Sequence, residues 1–347
     1  MRKPCFPHPT LLTPASCLPR APSRHRLLPL AGIEALAAAP SVLSACKSMQ
    51  NFRDLAGVAS TTAQIKPGLV LRSATPAEAD KADVDRLLRA FPSLRVLDLR
   101  SEEDAVKDDG ARLLAERTRH VEMLPKATGQ KRLSRHVLTD RLHLTLPLLP
   151  FRIMRALPVP GVRAAGGFVV DRGVRRFLET IELTDVYWWI LRERGDALRG
   201  VLSDLSEAGK AKVPTLIHCA HGKDRTGVVC AVVLHVCGAD VEAIASDYAL
   251  SDEWGCSPKG QDIMLQAMPE RFRERIKEWN SPPEDDMEEQ PFWWRQFGRW
   301  CGAEAVTIVE LWRRIDKRYG SMDAYLDSIG FDETNRAELA AALTTEA

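Results

Sequence analysis

The spacing of hydrophobic residues predicts buried strands that alternate with helices. Two short apolar runs, 95–99 and 213–217, have the length and composition of buried strands. The apolar run 227–234 directly follows the second strand region and predicts a buried helix that stops near Gly238. Apolar residues at helical spacing mark three further segments: 77–90, 174–208 and 303–345. Strands and helices in this order are typical of an α/β fold.

Two details refine the helical segments. Asp240 is placed to cap the start of a helix over 241–250, because a side-chain oxygen there accepts a free backbone N–H. The aromatic run Tyr187-Trp188-Trp189 lies within helical spacing and fits a core position better than a surface that stacks on substrate. Cys230 and Cys237 lie on the predicted buried helix, where we expect inert core residues.

Composition narrows the class of protein. The chain has 347 residues, which allows one large domain or two small ones, and 45% hydrophobic residues suffice for a packed core. A net charge of +1 argues against general nucleic-acid binding. The eight cysteines show no Cys-x2-Cys spacing, which argues against zinc. The sequence therefore predicts no metal, no cofactor and no nucleic-acid partner.

The first 48 residues differ from the rest of the chain. They are rich in proline and arginine, and no acidic residue precedes Glu34. Such a segment is typical of a transit peptide, of a disordered extension, or of sequence upstream of a true start at Met49. The apolar run 142–162 contains arginines and prolines, so we expect no transmembrane segment. The predicted location is intracellular and cytoplasmic, or organellar if residues 1–48 act as a transit peptide.

The segment between the second strand and the following helix carries the candidate chemistry. It runs His218-Cys219-Ala220-His221-Gly222-Lys223-Asp224-Arg225-Thr226-Gly227. A loop in this position directs backbone N–H groups at a common centre, and the helix N-terminus adds about half a positive charge. A phosphate group fits such a cradle. The residues expected to bind the phosphate are consecutive: Ala220, His221, Gly222, Lys223, Asp224 and Arg225.

The side chains of this loop supply the parts of a metal-free phosphate-ester hydrolysis. Cys219 is the candidate nucleophile, because helix N-termini and nearby cations stabilise a thiolate. Arg225 has a planar fork that can hold two phosphate oxygens. Asp224, the only carboxylate in the loop, could protonate the leaving oxygen and then activate water. His218 is expected to orient Cys219, and Thr226 to donate its hydroxyl to the thiolate.

The loop resembles the signature of the cysteine-dependent protein tyrosine phosphatase superfamily. Its Gly-Lys-Asp-Arg-Thr-Gly form is similar to that of an atypical branch represented by secreted mycobacterial tyrosine/lipid phosphatases and their fungal and plant relatives. Three further segments resemble motifs of that branch: Asn51–Gly57, Leu71–Ala74 with Val96–Arg100, and Tyr319–Leu326. Together with the loop they cover about residues 49–335.

The resemblance implies a tyrosine-phosphatase-like α/β fold. Its central, mostly parallel sheet would be flanked by helices and carry a helical or irregular lid insertion. It also implies a phosphocysteine intermediate and no cofactor. On this basis the sequence predicts an extension over 1–48 and a single phosphatase domain over 49–345, in which 120–200 forms the lid-like insertion and a helix.

Two departures from the family pattern bear on the chemistry. His221 stands where a small residue is common, and no Trp-Pro-Asp sequence exists in the chain. The second departure favours Asp224 as general acid by elimination. Asp98 is the alternative acid, although a carboxylate that caps a strand end and pairs with Arg100 or Arg225 explains it better.

Residues 120–180 are strongly basic, with eleven Lys and Arg against four Asp and Glu. They could form a mobile lid that attracts a polyanionic substrate or an anionic membrane face, or they could be a solvated surface without a role.

Three functions compete at this stage. The first is a phosphatase for phosphotyrosine proteins, with dual specificity left open. The second is a phosphoinositide phosphatase, in which Lys223, His221 and the basic segment hold further phosphates and contact an anionic membrane peripherally. The third is a phosphate-binding adaptor without turnover, which the presence of nucleophile, arginine and acid disfavours. A catalytic thiol needs a reducing compartment, which supports the intracellular prediction.

Overall fold

The computed structural model of this protein describes residues 46–58, 63–101, 105, 114–123, 181–267, 273 and 292–346. These residues belong to two compact units. The larger unit holds the described residues of Leu30–Ser251 and Ala303–Ala347, and the smaller unit holds those of Asp252–Gly302. The predicted extension over 1–48 and the basic segment over 120–180 lie mostly outside the described residues. The predicted domain boundaries therefore remain predictions.

A five-stranded sheet forms the centre of the larger unit, with the strand order β1-β3-β6-β4-β5. Its strands are β1 (Arg53–Asp54), β3 (Val70–Ser73), β4 (Arg95–Asp98), β5 (Thr118–His120) and β6 (Thr215–His218). The last four run parallel, and β1 pairs antiparallel with β3. The predicted mostly parallel sheet is therefore confirmed. A second, two-stranded sheet joins β2 (Ala63–Ile65) to β7 (Thr344–Glu346) in antiparallel register.

The predicted segment 174–208 divides into two helices within its described residues, and 174–180 lie outside the described part of the chain. The predicted segment 303–345 divides into three helices, and its end belongs to the strand β7. Eight helices of the described residues belong to the larger unit. They are α1 (Lys81–Ala90), α2 (Leu183–Glu193), α3 (Gly195–Lys210), α4 (Asp224–Val236), α5 (Val241–Ala249), α9 (Ala305–Tyr319), α10 (Met322–Ser328) and α11 (Glu333–Leu343). Short 3-10 turns occur at Leu55–Gly57 and Pro76–Glu78. The Asp240 carboxylate accepts the N–H of Ala243 at 2.7 Å, so the predicted cap of α5 is confirmed.

The described helices of the smaller unit are α6 (Ser251–Gly255), α7 (Pro258–Ala267) and α8 (Phe292–Cys301). The first residue of α6, Ser251, belongs to the larger unit. Among the described residues, no helix is long and apolar enough to cross a membrane.

Hydrophobic clusters cover both faces of the central sheet. Successive side chains of a strand point to opposite faces, so each strand feeds two cores. One face carries Val70, Leu97 and Ile217, which join a large cluster with residues of α2, α3, α4 and α9. The other face carries Leu71, Val96 and Leu216, which join a smaller cluster with residues of α1. Burial of both faces is what a parallel sheet requires, and it explains the continuous apolar runs of the strands.

Candidate active site

The predicted phosphate loop connects the end of β6 to the start of α4 and crosses the end of β3. Cys219 directly follows β6 and is buried, with 1% of its surface exposed. The backbone N–H of Gly222 donates to Cys219 Sγ at 3.2 Å. A backbone donor directed at sulfur stabilises negative charge there, which is what a thiolate nucleophile needs.

Three loop carbonyl groups point away from the centre of the loop. Ala220 O accepts the N–H of Thr75 at 3.1 Å, while His221 O and Gly222 O accept Asn51 Nδ2 at 3.3 and 3.0 Å. In a trans peptide the C=O and the following N–H point in opposite directions. The N–H groups of the next residues, 221 to 223, are therefore directed into the loop. The hydrogen bond from Gly222 to sulfur is one instance of this arrangement.

Gly222 has a backbone conformation and an environment that other residues do not tolerate. Its φ is +67°, in the left-handed region. A Cβ built on this residue would lie 2.3 Å from Ser73 O and 2.4 Å from Ala74 N. The glycine therefore lets the loop pass directly over the end of β3.

A buried ion network supports the loop from behind. Arg72 Nη2 donates to Gly222 O at 2.8 Å, and Arg72 Nη1 pairs with Asp247 Oδ2 at 2.5 Å. Arg53 Nε reaches the other carboxylate oxygen, Asp247 Oδ1, at 2.8 Å. The side chain of Arg72 is fully buried, and that of Asp247 is 3% exposed. Burial alone would raise the pKa of Asp247, but the two guanidinium groups outweigh it and hold that pKa low.

The segment Asn51–Gly57, which resembles a family motif, contributes two residues to this network. Asn51 adopts a left-handed φ of +52°, accepts Arg53 Nη1 on its Oδ1 at 2.6 Å and donates to the loop from its Nδ2. Asp54 has a different task, because its carboxylate accepts the N–H groups of Ala56 at 3.0 Å and Gly68 at 2.5 Å. Asn51 and Arg53 thus brace the loop, whereas Asp54 caps the 3-10 turn Leu55–Gly57 and ties it to the turn before β3.

Asp224 begins α4 and keeps 24% of its side-chain surface exposed. Its Oδ1 accepts the hydroxyl of Tyr187 at 2.6 Å and lies 3.2 Å from Lys223 Nζ. Burial raises the pKa of Asp224, but Lys223, the Tyr187 hydrogen bond and His221 together lower it below its usual value. The predicted acid therefore rests as a carboxylate in the unliganded protein.

The structure places the remaining predicted residues in distinct surroundings. Lys223 and Thr226 are fully buried, and His221 is 4% exposed. The Lys223 amine is directed at Asp224, so its backbone N–H is the group that faces the loop. The Thr226 hydroxyl forms no hydrogen bond with any described residue, so its predicted donation to sulfur remains a prediction. Arg225 lies in the first turn of α4, partly exposed, and forms no ion pair within the described part of the chain.

Asp98 and His218 lie side by side at the carboxyl ends of β4 and β6. The Asp98 carboxylate accepts Arg100 Nε at 3.0 Å and Arg100 Nη2 at 2.8 Å, which is one of the two pairings expected from the sequence. His218 Nε2 lies 3.8 Å from Asp98, and His218 Nδ1 lies 3.3 Å from the carbonyl oxygen of Cys219. Burial lowers the pKa of His218 to about 4, so its ring is neutral at pH 7. The neutral ring contacts the backbone carbonyl group of Cys219.

Several residues of the site escaped the sequence analysis. A core position was favoured for Tyr187 over a surface that stacks on substrate, and the residue is fully buried, but its hydroxyl contacts Asp224. Asp247 carried one usable signal, an acid on the apolar face of α5 beside Tyr248. The prediction for Cys230 and Cys237 is confirmed, because both are buried on or after α4 and burial raises their pKa values to about 11 and about 12.

The fold and the loop together define a class of protein. It is an α/β protein whose loop between a central strand and the following helix presents a buried cysteine and an arginine. The profile of the tyrosine phosphatase family matches residues 44–345, and the chain belongs to the tyrosine phosphatase family. The family, the fold class and the enzyme class expected from the sequence are thereby confirmed.

One curated relative is similar over part of its length. The chain is 30% identical over 120 residues to the Triple specificity protein phosphatase PtpB of Mycobacterium tuberculosis. The match covers 35% of this chain and 40% of that protein, so it spans less than half of the relative.

Proposed function

We propose that this protein hydrolyses phosphomonoesters through a phosphocysteine intermediate, with phosphotyrosine proteins as its main substrates. The observation that carries the proposal is the loop itself. The Gly222 N–H donates to the buried Cys219 sulfur, the carbonyl groups of residues 220–222 point outward, and Asp224 and Arg225 lie in the next turn. A tetrahedral phosphate is the anion that such a ring of donors accommodates.

The first chemical step transfers the phosphoryl group to sulfur. Cys219 thiolate attacks phosphorus, the S–P bond forms and the ester P–O bond breaks. Asp224 donates its proton to the departing oxygen, so an alcohol or phenol leaves rather than its anion. Arg225 and the loop N–H groups hold the equatorial oxygens, on which charge is spread in the transition state.

The second step regenerates the enzyme. Asp224, now a carboxylate, takes a proton from water while the water oxygen attacks phosphorus. The S–P bond breaks, its electron pair returns to Cys219, and inorganic phosphate leaves. Asp224 is thereby protonated again and ready for the next ester. The low resting pKa of Asp224 keeps the group ionised in the unliganded protein, and the negative charge of a bound phosphate raises that pKa, which favours the protonated form needed for the acid step.

A second candidate substrate class has one observation in its favour. The name of the mycobacterial relative describes it as a triple specificity phosphatase, so more than one kind of phosphoester belongs in the assay. The burial of the Lys223 amine against Asp224 weakens its predicted contact with further phosphates of an inositol ring. Contact with an anionic membrane and an intracellular location remain predictions.

Phosphate release tests the proposal directly. The purified protein and its Cys219→Ser variant are compared on a phosphotyrosine peptide and on phosphoinositide vesicles. We expect peptide turnover by the wild type, no turnover by the variant, and vanadate inhibition of the wild type. Faster turnover of the vesicles would replace the protein substrate with a lipid. No turnover of either substrate by the wild type would favour the adaptor function.

The role of Asp224 has its own test. Asp224→Asn should slow phenyl phosphate, a poor leaving group, by about a hundredfold, because general acid catalysis contributes 10²–10⁴ in rate. It should slow p-nitrophenyl phosphate much less, since that leaving group departs without a proton. Equal slowing of the two esters would show that Asp224 is not the acid. Arg225→Lys, which keeps the charge but loses the fork, serves as the comparison and should slow both esters alike.

A further inference from the structure

Two buried tyrosines form a hydrogen-bonded chain that ends at Asp224. Tyr187 lies on α2 and Tyr248 lies on α5, and their exposed fractions are 0% and 1%. Their hydroxyl oxygens are 2.7 Å apart, and their rings meet edge to face with centroids 5.9 Å apart. Tyr187 Oη is 2.6 Å from Asp224 Oδ1. The helices α2, α4 and α5 are thus joined at the start of α4.

The direction of the chain follows from the count of protons. A carboxylate only accepts, so the single hydroxyl proton of Tyr187 is donated to Asp224. Tyr187 therefore accepts at its oxygen, and Tyr248 donates to it. Burial, the Asp224 charge and these hydrogen bonds raise the pKa of Tyr187 well above its usual value, so it stays a neutral donor throughout the working pH range. The chain runs from Tyr248 to Tyr187 to Asp224.

Both described contacts of the Asp224 carboxyl group fall on one oxygen. Tyr187 and Lys223 reach Oδ1, while the described residues offer no hydrogen bond to Oδ2. The side chain retains its 24% exposure despite these contacts. Contacts to Oδ1 restrict the orientation of the carboxyl group and leave Oδ2 as the oxygen available to hold a transferable proton.

We propose that Tyr187 is a positioning residue for Asp224, that Tyr248 orients Tyr187, and that the pair directs Oδ2 at the leaving-group oxygen. This inference rests on the proposed function, because it requires Asp224 to transfer a proton. It assigns a task to two aromatic side chains that hydrophobic packing alone would also bury. Packing explains their rings, but it does not explain why two hydroxyl groups are buried and joined to one carboxylate.

The pH dependence of turnover separates positioning from packing. The groups that face Asp224 are Lys223 and His221 from the loop, Tyr187 from α2 and, through Tyr187, Tyr248 from α5. Of these, the Tyr187 hydroxyl stabilises the carboxylate form by a short hydrogen bond. Tyr187→Phe removes this hydrogen bond and should raise the pKa of Asp224. Because turnover requires protonated Asp224, the alkaline limb of the kcat/KM profile should move to higher pH by roughly one unit.

The experiment compares this variant with a matched control. Tyr325 on α10 is also buried and donates its hydroxyl to the α2 carbonyl of Leu191 at 2.7 Å. Tyr325→Phe therefore removes a hydrogen bond to the same helix without touching Asp224. We expect Tyr187→Phe to shift the alkaline limb and to slow phenyl phosphate severalfold more than p-nitrophenyl phosphate. Tyr325→Phe should leave both the limb and the ratio of the two rates unchanged.

Two further measurements keep the test decisive. In the Asp224→Asn background, Tyr187→Phe should change neither the pH profile nor the rate ratio, because its effect passes through the carboxylate. If Tyr187→Phe does not fold, Tyr248→Phe replaces it and should shift the limb in the same direction by a smaller amount. A folded variant with the wild-type limb would overturn the inference. Turnover that survives Cys219→Ser would instead overturn the proposed function, so the two failures are distinct.

Discussion

Gly222→Ala adds one methyl group at the point where the phosphate loop crosses the central sheet. The new Cβ would lie 2.3 Å from Ser73 O and 2.4 Å from Ala74 N, both backbone atoms. Ser73 cannot retreat, because β3 is paired in register with β6 at His218. The loop must therefore move by several tenths of an ångström, and the N–H of Gly222 moves away from Cys219 Sγ.

Gly222→Ala should lower the stability of the fold through two effects, a strained backbone conformation and a steric clash. A left-handed φ of +67° costs alanine about 1–2 kcal/mol relative to glycine. Forcing a methyl group into a packed site costs typically about 1–3 kcal/mol more. We therefore expect Gly222→Ala to lower the free energy of unfolding by about 2–5 kcal/mol. We also expect it to reduce kcat/KM by at least about a hundredfold, since displaced donors no longer match the phosphate.

Gly320 supplies the matched control for the backbone term. It ends α9 with a φ of +96°, and a Cβ there would meet nothing within 4 Å. Gly320→Ala should therefore cost only the conformational part, about 1–2 kcal/mol, with unchanged activity. Urea unfolding and p-nitrophenyl phosphate hydrolysis measure both quantities. Equal destabilisation by the two substitutions, or an active Gly222→Ala variant, would refute the reasoning from the clash.

Three further changes test other parts of the site and fold. Asp247→Asn leaves two largely buried guanidinium groups without their shared charge and should destabilise the fold by about 3–5 kcal/mol in urea unfolding; a cost below about 1 kcal/mol would contradict the bracing role. Burial lowers the pKa of His218 from 6.5 in the unfolded chain to about 4 in the folded protein. The folded state therefore disfavours protonation of His218, and its contribution to the free energy of unfolding is fully present above pH 6.5. As the pH falls from 6.5 to 4, this contribution decreases by about 3 kcal/mol in total. His218→Gln should therefore unfold with a shallower dependence on pH over that interval, and parallel pH curves would contradict the assignment. Asp240→Ala removes the capping oxygen of α5 and should lower the free energy of unfolding by about 1 kcal/mol without altering kcat/KM. A change in kcat/KM larger than twofold would connect α5 to catalysis more directly than the structure does.

Strands β4 and β6 and the loop after β6 could be predicted because their signals are local, whereas β2 and β7 were missed, and β7 lies within the segment 303–345 that was predicted to be helical. An apolar run bounded by turn residues is enough to place β6, and the ten residues after it contain every group of the proposed chemistry. The helix over 77–90 was predicted as one element, but the structure begins it with the 3-10 turn Pro76–Glu78 and starts α1 at Lys81. Pro76 fits the first turn of a helix, and Asp80 adopts the extended conformation that separates the two pieces.

Tertiary structure alone decided how the site is held and how its charges are balanced. Arg72 and Asp247 are 175 residues apart, and Tyr187 and Tyr248 are 61 apart, so no local pattern shows that they meet. The same holds for the pKa of Asp224. It depends on a tyrosine from α2 and on Lys223, whose amine is buried against Asp224. The sequence by itself determined which groups are candidates for the proposed chemistry, because they are neighbours along one loop. The fold determined their protonation states and orientation, because burial and contacts between distant elements set both.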